Sequence, residues 1–152
     1  MRLIAGPCQH ESYEMSLDIC KQLYLMCTDM GIDYTFKASF DKANRTSLKG
    51  KRGIGFDETM NDFGYIKTMF SNVKFLTDVH ETWQIDKIVS DYNNVIDVIQ
   101  IPAFLCRQTD LILKAVSSGK IVNIKKGQFL APWDMNNVAE KLASTGNEKI
   151  WL

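Results

Sequence analysis

Short apolar runs alternate with longer amphipathic runs along this 152-residue chain, and that alternation restricts its fold more than any other feature. A run of four to seven apolar residues reads as a buried strand, whereas apolar residues recurring every third or fourth position read as one face of a helix. Strand and helix in regular succession predict parallel βα units, because a parallel neighbour is reached only through a crossover. The strand runs are Leu3–Ala5, Tyr34–Phe40, Lys74–Val79, Val95–Ile101 and Ile121–Lys125, with a sixth beginning at Lys149–Leu152.

The helical runs between them carry start and stop signals. Ser12 is placed to cap the first, with Met15, Ile19, Leu23, Met26 and Met30 on one face and Gly31 as the stop. The second runs from about Asp57 to Phe70, with Met60, Phe63, Ile66 and Phe70 inward. The third follows Thr82 and carries Trp83, Ile85, Ile88 and Val89. Thr109 or Asp110 caps the fourth, which ends at Gly119; Asp134 caps the fifth, with Val138 and Leu142 inward and a close near Gly146. Cys20, Cys27 and the helical methionines are expected in the core. No linker composition interrupts the pattern, so a single domain over 1–152 is expected.

Equal numbers of basic and acidic residues, 18 of each, argue against a nucleic-acid partner, which selects for a basic excess. No segment approaches the roughly 20 consecutive apolar residues that span a bilayer, so no membrane partner is expected. Four cysteines without a CxxC pair or a disulfide spacing suggest a reducing, cytoplasmic setting.

Polar residues gather where the strands end: Cys8, Ser39 to Arg45, Asp78 and His80, Gln100, Lys125 and Lys126. Ligands bind at that edge of α/β barrels and open sheets alike. Five βα units with a sixth strand fall short of the roughly 250 residues of a (β/α)8 barrel. The chain therefore reads as the N-terminal part of one.

Lysines on a buried strand imply an incoming anion, since an isolated buried ammonium costs several kcal/mol. Lys42 and Lys125 are suited to clamp a phosphate or carboxylate, with Lys37 adding field or moving a proton. The alternative is surface lysines whose stems cover apolar neighbours. Asn44, Arg45, Thr46 and Ser47 form a donor-rich turn suited to a phosphate, or else an ordinary polar loop. Gln100, between Ile99 and Ile101, needs a protein or a ligand partner for its amide. Cys8 is a metal ligand, a nucleophile or a small buried hydrophobe. His10 and His80 are ligands, acid/base groups or structural residues, and His80 could equally cap the helix after it.

Taken together these blocks resemble the 3-deoxy-D-manno-octulosonate 8-phosphate synthases, also called 2-dehydro-3-deoxyphosphooctonate aldolases. The resemblance rests on Ala5-Gly6-Pro7-Cys8 with Glu11-Ser12, on Phe36 to Arg45, and on Leu76-Thr77-Asp78-Val79-His80-Glu81. It continues through Ile99 to Asp110 and Val122 to Trp133, in the family's order and spacing. It implies a TIM (β/α)8 barrel of the phosphoenolpyruvate-dependent aldol-condensing type, ending here after about five βα units and the start of the sixth strand. The implied reaction joins phosphoenolpyruvate, D-arabinose 5-phosphate and water into 3-deoxy-D-manno-octulosonate 8-phosphate and phosphate, on the route to lipopolysaccharide. By the same resemblance Lys42, Gln100 and Lys125 contact phosphoenolpyruvate, with Lys37 and Ser39 beside them. Asn44, Arg45 and Thr46, the last standing where serine is usual, cradle the sugar phosphate, and Asp78 orders the sugar end. Phe104 and Arg107 reach a neighbouring site in a homotetramer. Cysteine at position 8 marks the metal-dependent branch, which implies a divalent zinc, iron or manganese ion. The family's remaining ligands and its sixth-strand arginine have no counterpart in these residues, so the chain on its own is expected to be inactive and poorly stable. A related enzyme making 3-deoxy-D-arabino-heptulosonate 7-phosphate is the nearest alternative, though it normally carries Lys-Pro-Arg-Thr where this chain has Asn44-Arg45. A non-catalytic ligand-binding remnant is the other.

Overall fold

The computed structural model describes residues 1–152 and bears out the parallel α/β reading. Six strands alternate with five helices in the order β1 (Arg2–Gln9), α1 (Tyr13–Asp29), β2 (Asp33–Ser39), α2 (Phe56–Met69), β3 (Lys74–Asp78), α3 (Thr82–Asp91), β4 (Val98–Ile101), α4 (Thr109–Ser117), β5 (Ile121–Ile124), α5 (Met135–Ala143) and β6 (Ile150–Trp151). Short 3-10 turns occupy Ala103–Leu105 and Pro132–Asp134. No helix is long and apolar enough to cross a membrane.

The chain divides into two compact units, Met1–Thr77 with Asn94–Ile96, and Asp78–Asn93 with Asp97–Leu152. In the first, β1, β2 and β3 lie side by side in chain order, all parallel. Phe36 from β2, Phe63 from α2 and Phe75 from β3 are fully buried, with centroids 5.1–5.7 Å apart. Burial of such a ring is worth about 1.5–3 kcal/mol, and each edge or tilted pair about 0.5–1.5 kcal/mol more. That cluster seats α2 on the sheet. In the second unit β4, β5 and β6 are parallel in chain order, with Gln100 opposite Asn123 and Asn123 opposite Trp151.

Several local expectations are corrected. β1 does not stop at Ala5 but continues through Gly6-Pro7 to Gln9, with a register shift between Ala5 and Cys8 that accommodates the proline. Gly6 permits this because a Cβ there would meet the Lys37 carbonyl oxygen at 2.1 Å. The first helix buries Ser16, Cys20 and Cys27, leaving Met26 and Met30 exposed. Small side chains let its axis approach the strands, and the long methionines on the neighbouring flank stay out. Trp83 and Val89 likewise face outward on α3, while Ile85 and Ile88 are buried. Neither Thr109 nor Asp110 caps α4, which starts after Gln108 with no side-chain cap. Asp134 does hold the N-cap position of α5, but its carboxylate makes no cap bond there; it accepts from the Ala131 N–H and closes the preceding turn.

Candidate functional site

In the first unit, β1 and β2 end together, with Cys8 opposite Ala38 and Gln9 opposite Ser39. His10 extends the pairing by donating its backbone N–H to the Ser39 carbonyl at 2.9 Å. Cys8 adopts φ 67°, the sole non-glycine residue with positive φ. Such a conformation costs about 1–3 kcal/mol and tends to persist where a site requires it. Here the Cys8 thiol is exposed, beside the Lys42 ammonium.

Ser39 Oγ, on a fully buried residue, accepts from Lys37 Nζ at 3.0 Å and from Lys42 Nζ at 2.8 Å. Lys42 Nζ also lies 3.0 Å from Cys8 Sγ, and Lys37 Nζ donates to the Cys8 carbonyl at 3.4 Å. Two ammonium groups thus share one hydroxyl. Their mutual repulsion is of the kind that a phosphate or carboxylate set against them would offset.

The loop after β2 is fixed at its base. Asp41 pairs with the Arg52 guanidinium and holds that group's pKa further above its already high value. The Lys42 N–H donates to the Arg52 carbonyl at 2.7 Å. Gly53, at φ 122°, passes so close to Phe40 that a Cβ would sit 2.3 Å from its carbonyl oxygen. Arg45 donates from Nε to the Lys51 carbonyl at 3.0 Å and from Nη2 to Gln9 Oε1 at 2.7 Å. Asn44 and Thr46 flank it, exposed on the same loop.

His10 does not reach the surface. It is fully buried, with Nδ1 2.7 Å from Ser16 Oγ, Nε2 2.9 Å from Asp62 Oδ2, and its ring edge-on to Phe63. It ties the end of β1 to α1 and α2. Nor do these residues assemble a metal centre: no group of three or more His, Cys, Asp or Glu side chains could hold an ion. Cys8 supplies a single thiol, whereas zinc and its neighbours take three or four protein ligands.

The second unit carries the remaining candidates. Asp78 Oδ2 lies 3.4 Å from His80 Nε2, both side chains nearly buried, and the His80 ring stacks on Phe104 with centroids 6.4 Å apart. The cap on α3 comes from Gln84, whose Oε1 accepts from the His80 and Glu81 N–H groups at 2.7 and 3.2 Å, rather than from the His80 imidazole. The buried Gln100 amide finds a protein partner, accepting from Asn123 Nδ2 at 3.0 Å. Lys125 does not stay within a buried wall: β5 ends at Ile124, and Lys125 keeps the ladder bond to Ile101 while its side chain is exposed. Arg107, also exposed, lines a cavity of about 330 Å3 with Leu130, Asp134, Asn137, Val138 and Lys141.

A sequence model of the DAHP synthetase I family matches residues 1–152, the whole chain. The chain belongs to that family. Similar members carry the name 2-dehydro-3-deoxyphosphooctonate aldolase. One from Fusobacterium nucleatum subsp. nucleatum is 51% identical over 150 residues, 99% of this chain and 52% of the relative. One from Agrobacterium fabrum is 52% identical over 150 residues, covering 99% and 51%. One from Rhizobium meliloti is 48% identical over 152 residues, covering 100% and 52%. The chain spans about half the length of the curated relatives it matches.

Two participants are not apparent from the sequence. Gln9 reads as a loop residue because the apolar run of β1 ends at Ala5, while the strand itself goes on to Gln9. Asn123 is hidden inside an apolar run, although a second amide at the equivalent place in the preceding strand, Gln100, is the available signal.

Proposed function

We propose that the protein is a 3-deoxy-D-manno-octulosonate 8-phosphate synthase, condensing phosphoenolpyruvate with D-arabinose 5-phosphate and water. The observation that carries this reading is the pair of ammonium groups, Lys37 and Lys42, converging on Ser39 Oγ beside the Arg45 fork. The name shared by the relatives at about half identity supports it. Gln100, Lys125, Asp78, Phe104 and Arg107 enter on the resemblance alone.

In this mechanism Lys42 and Lys37 offset the negative charge of phosphoenolpyruvate while Arg45, Asn44 and Thr46 hold the sugar phosphate. C3 of the enol attacks the aldehyde carbon, positive charge develops at C2, and water adds there. The resulting phosphohemiketal expels phosphate. Fixed cations aimed at the oxygens where charge builds belong to the preorganised electrostatics that usually contribute most to lowering such a barrier. Lys37, which touches both Ser39 and the Cys8 carbonyl, is the group placed to move a proton. A divalent ion bound through Cys8 would polarise the aldehyde, but it needs ligands beyond those gathered here.

The family description also covers the heptulosonate reaction, and the aldose separates the two. Calorimetric titration is measured with phosphoenolpyruvate and with either D-arabinose 5-phosphate or D-erythrose 4-phosphate. The proposal expects phosphoenolpyruvate binding that Lys42→Met weakens at least tenfold, and a preference for the five-carbon sugar. Preference for the four-carbon sugar, or phosphoenolpyruvate binding indifferent to Lys42, overturns it.

A further inference from the structure

We propose that Gln9 is a positioning residue for Arg45, holding its guanidinium ready for the phosphate of the sugar substrate. The inference rests on the assignment of Arg45 to that phosphate. Gln9 is the last residue of β1, 6% exposed, and its register partner is Ser39, the hydroxyl shared by the two lysines. One rigid strand end therefore sets both the ammonium pair and the arginine. Gln9 Oε1 accepts from Nη2 at 2.7 Å and the Lys51 carbonyl accepts from Nε at 3.0 Å. A guanidinium has five N–H donors in a planar fork. Two anchors on one side fix the plane of that fork and leave the Nη1 edge for a ligand.

The chemistry of the anchor matters. Aspartate or glutamate is the usual partner of an arginine, but a carboxylate would neutralise the charge that attracts phosphate. An amide oxygen orients the group and leaves its charge intact. A flexible arginine must surrender rotamer freedom on binding, and an anchored one has already done so. Both anchor residues, Gln9 and Lys51, line a cavity of about 270 Å3 with Glu11, Arg52, Gly53 and Ile54.

Gln9→Met keeps the length and removes the acceptor. Gln9→Glu keeps the acceptor and removes the net charge of the pair. Each is made in the full chain and titrated with D-arabinose 5-phosphate, inorganic phosphate and phosphoenolpyruvate, while nitrogen NMR follows rotation of the Arg45 guanidinium. Q9M is expected to weaken sugar phosphate and inorganic phosphate roughly tenfold, leave phosphoenolpyruvate within twofold, and speed guanidinium rotation. Q9E is expected to keep rotation slow yet weaken both phosphates. In an Arg45→Met background Q9M should then have no further effect on phosphate affinity, which a purely structural role would not produce. Unchanged phosphate affinity and rotation in Q9M overturn the proposal, as does an equal Q9M effect with Arg45 already removed. Dependence of inorganic phosphate on Gln9 without any preference for the five-carbon sugar upholds the positioning and overturns the assigned substrate. Should Q9M fail to fold, Q9E alone decides: slow rotation with weakened phosphate upholds the role, and unchanged phosphate affinity overturns it.

Discussion

Cys8 reaches solvent from a left-handed backbone, whereas Cys20, Cys27 and Cys106 are buried. Burial pushes the Cys20 thiol up to about 12 and moves the Tyr34 hydroxyl upward as well, so neither ionises near neutrality. Thiol chemistry follows access and thiolate content. Iodoacetamide at pH 8 is expected to add once to the native protein, at Cys8, and four times in denaturant; rapid addition at a second native thiol, read by intact mass, would contradict this burial pattern. Gly6 bears on the same place. An alanine Cβ would lie 2.1 Å from the carbonyl of Lys37 itself, and backbone has to move to relieve it. Gly6→Ala should cost about 3 kcal/mol of stability in urea unfolding, at the upper end of overpacking changes, and should weaken phosphoenolpyruvate by shifting Lys37. A variant as stable as the parent would show that β1 and β2 do not approach so closely.

At the scale of elements, a second charged cluster pins the opposite ends of the same strands. Asp33 at the start of β2 pairs with Arg2 of β1 at 2.9 Å and lies 3.5 Å from Lys74 of β3. The Arg2 hydrogen bond is the main cause holding the Asp33 carboxyl below the usual carboxylate range, with Lys74 adding to it. A group depressed in the folded state stabilises above its unfolded pKa, about 3.9, and loses that contribution as pH falls through its folded value. Its side chain is 43% exposed, so solvent screening limits the effect to under about 1 kcal/mol. Asp33→Asn should be less stable than the parent at pH 7, and by urea midpoints the gap should close as pH falls through the lowered folded-state value of Asp33; a gap that persists once that carboxyl is protonated would place the effect elsewhere. The elements themselves are legible in the sequence because period and punctuation are local, and all six strands and five helices can be read from it. What escapes such a reading depends on neighbours. The buried stripe of α1 runs through Ser16, Cys20 and Cys27 because small residues suit a close helix and strand contact, which hydrophobicity alone does not rank. Gln84 capping α3 and Asp134 serving the turn before α5 are choices between nearby donors that spacing leaves open. The lysine, serine and arginine cluster can be read from residue types alone, but Gln9 and Asn123 become visible only through register.

Taken whole, the molecule is electrically neutral, yet its charge is unevenly placed. From Lys37 to Arg52 six basic side chains face the single carboxylate of Asp41, and the compensating acids lie elsewhere along the sequence. A field confined to one strand end and its loop suits a ligand a few ångströms across. A duplex needs phosphate contacts spread over several turns, and these supply most of its non-specific affinity. Salt should therefore act on this protein locally. The Debye length falls from about 10 Å at 0.1 M to about 3 Å at 1 M, so the outlying loop lysines are screened while cations in contact with the ligand are not. Phosphoenolpyruvate affinity is expected to drop roughly tenfold across that range and then level off, and a 20-base-pair duplex at about 0.15 M salt should not compete for the site below roughly 100 µM, the weak end of ordinary non-specific binding. Competition at micromolar duplex, or a salt dependence that keeps steepening to 1 M, would mean that the basic cluster is part of a far larger surface than the ends of two strands.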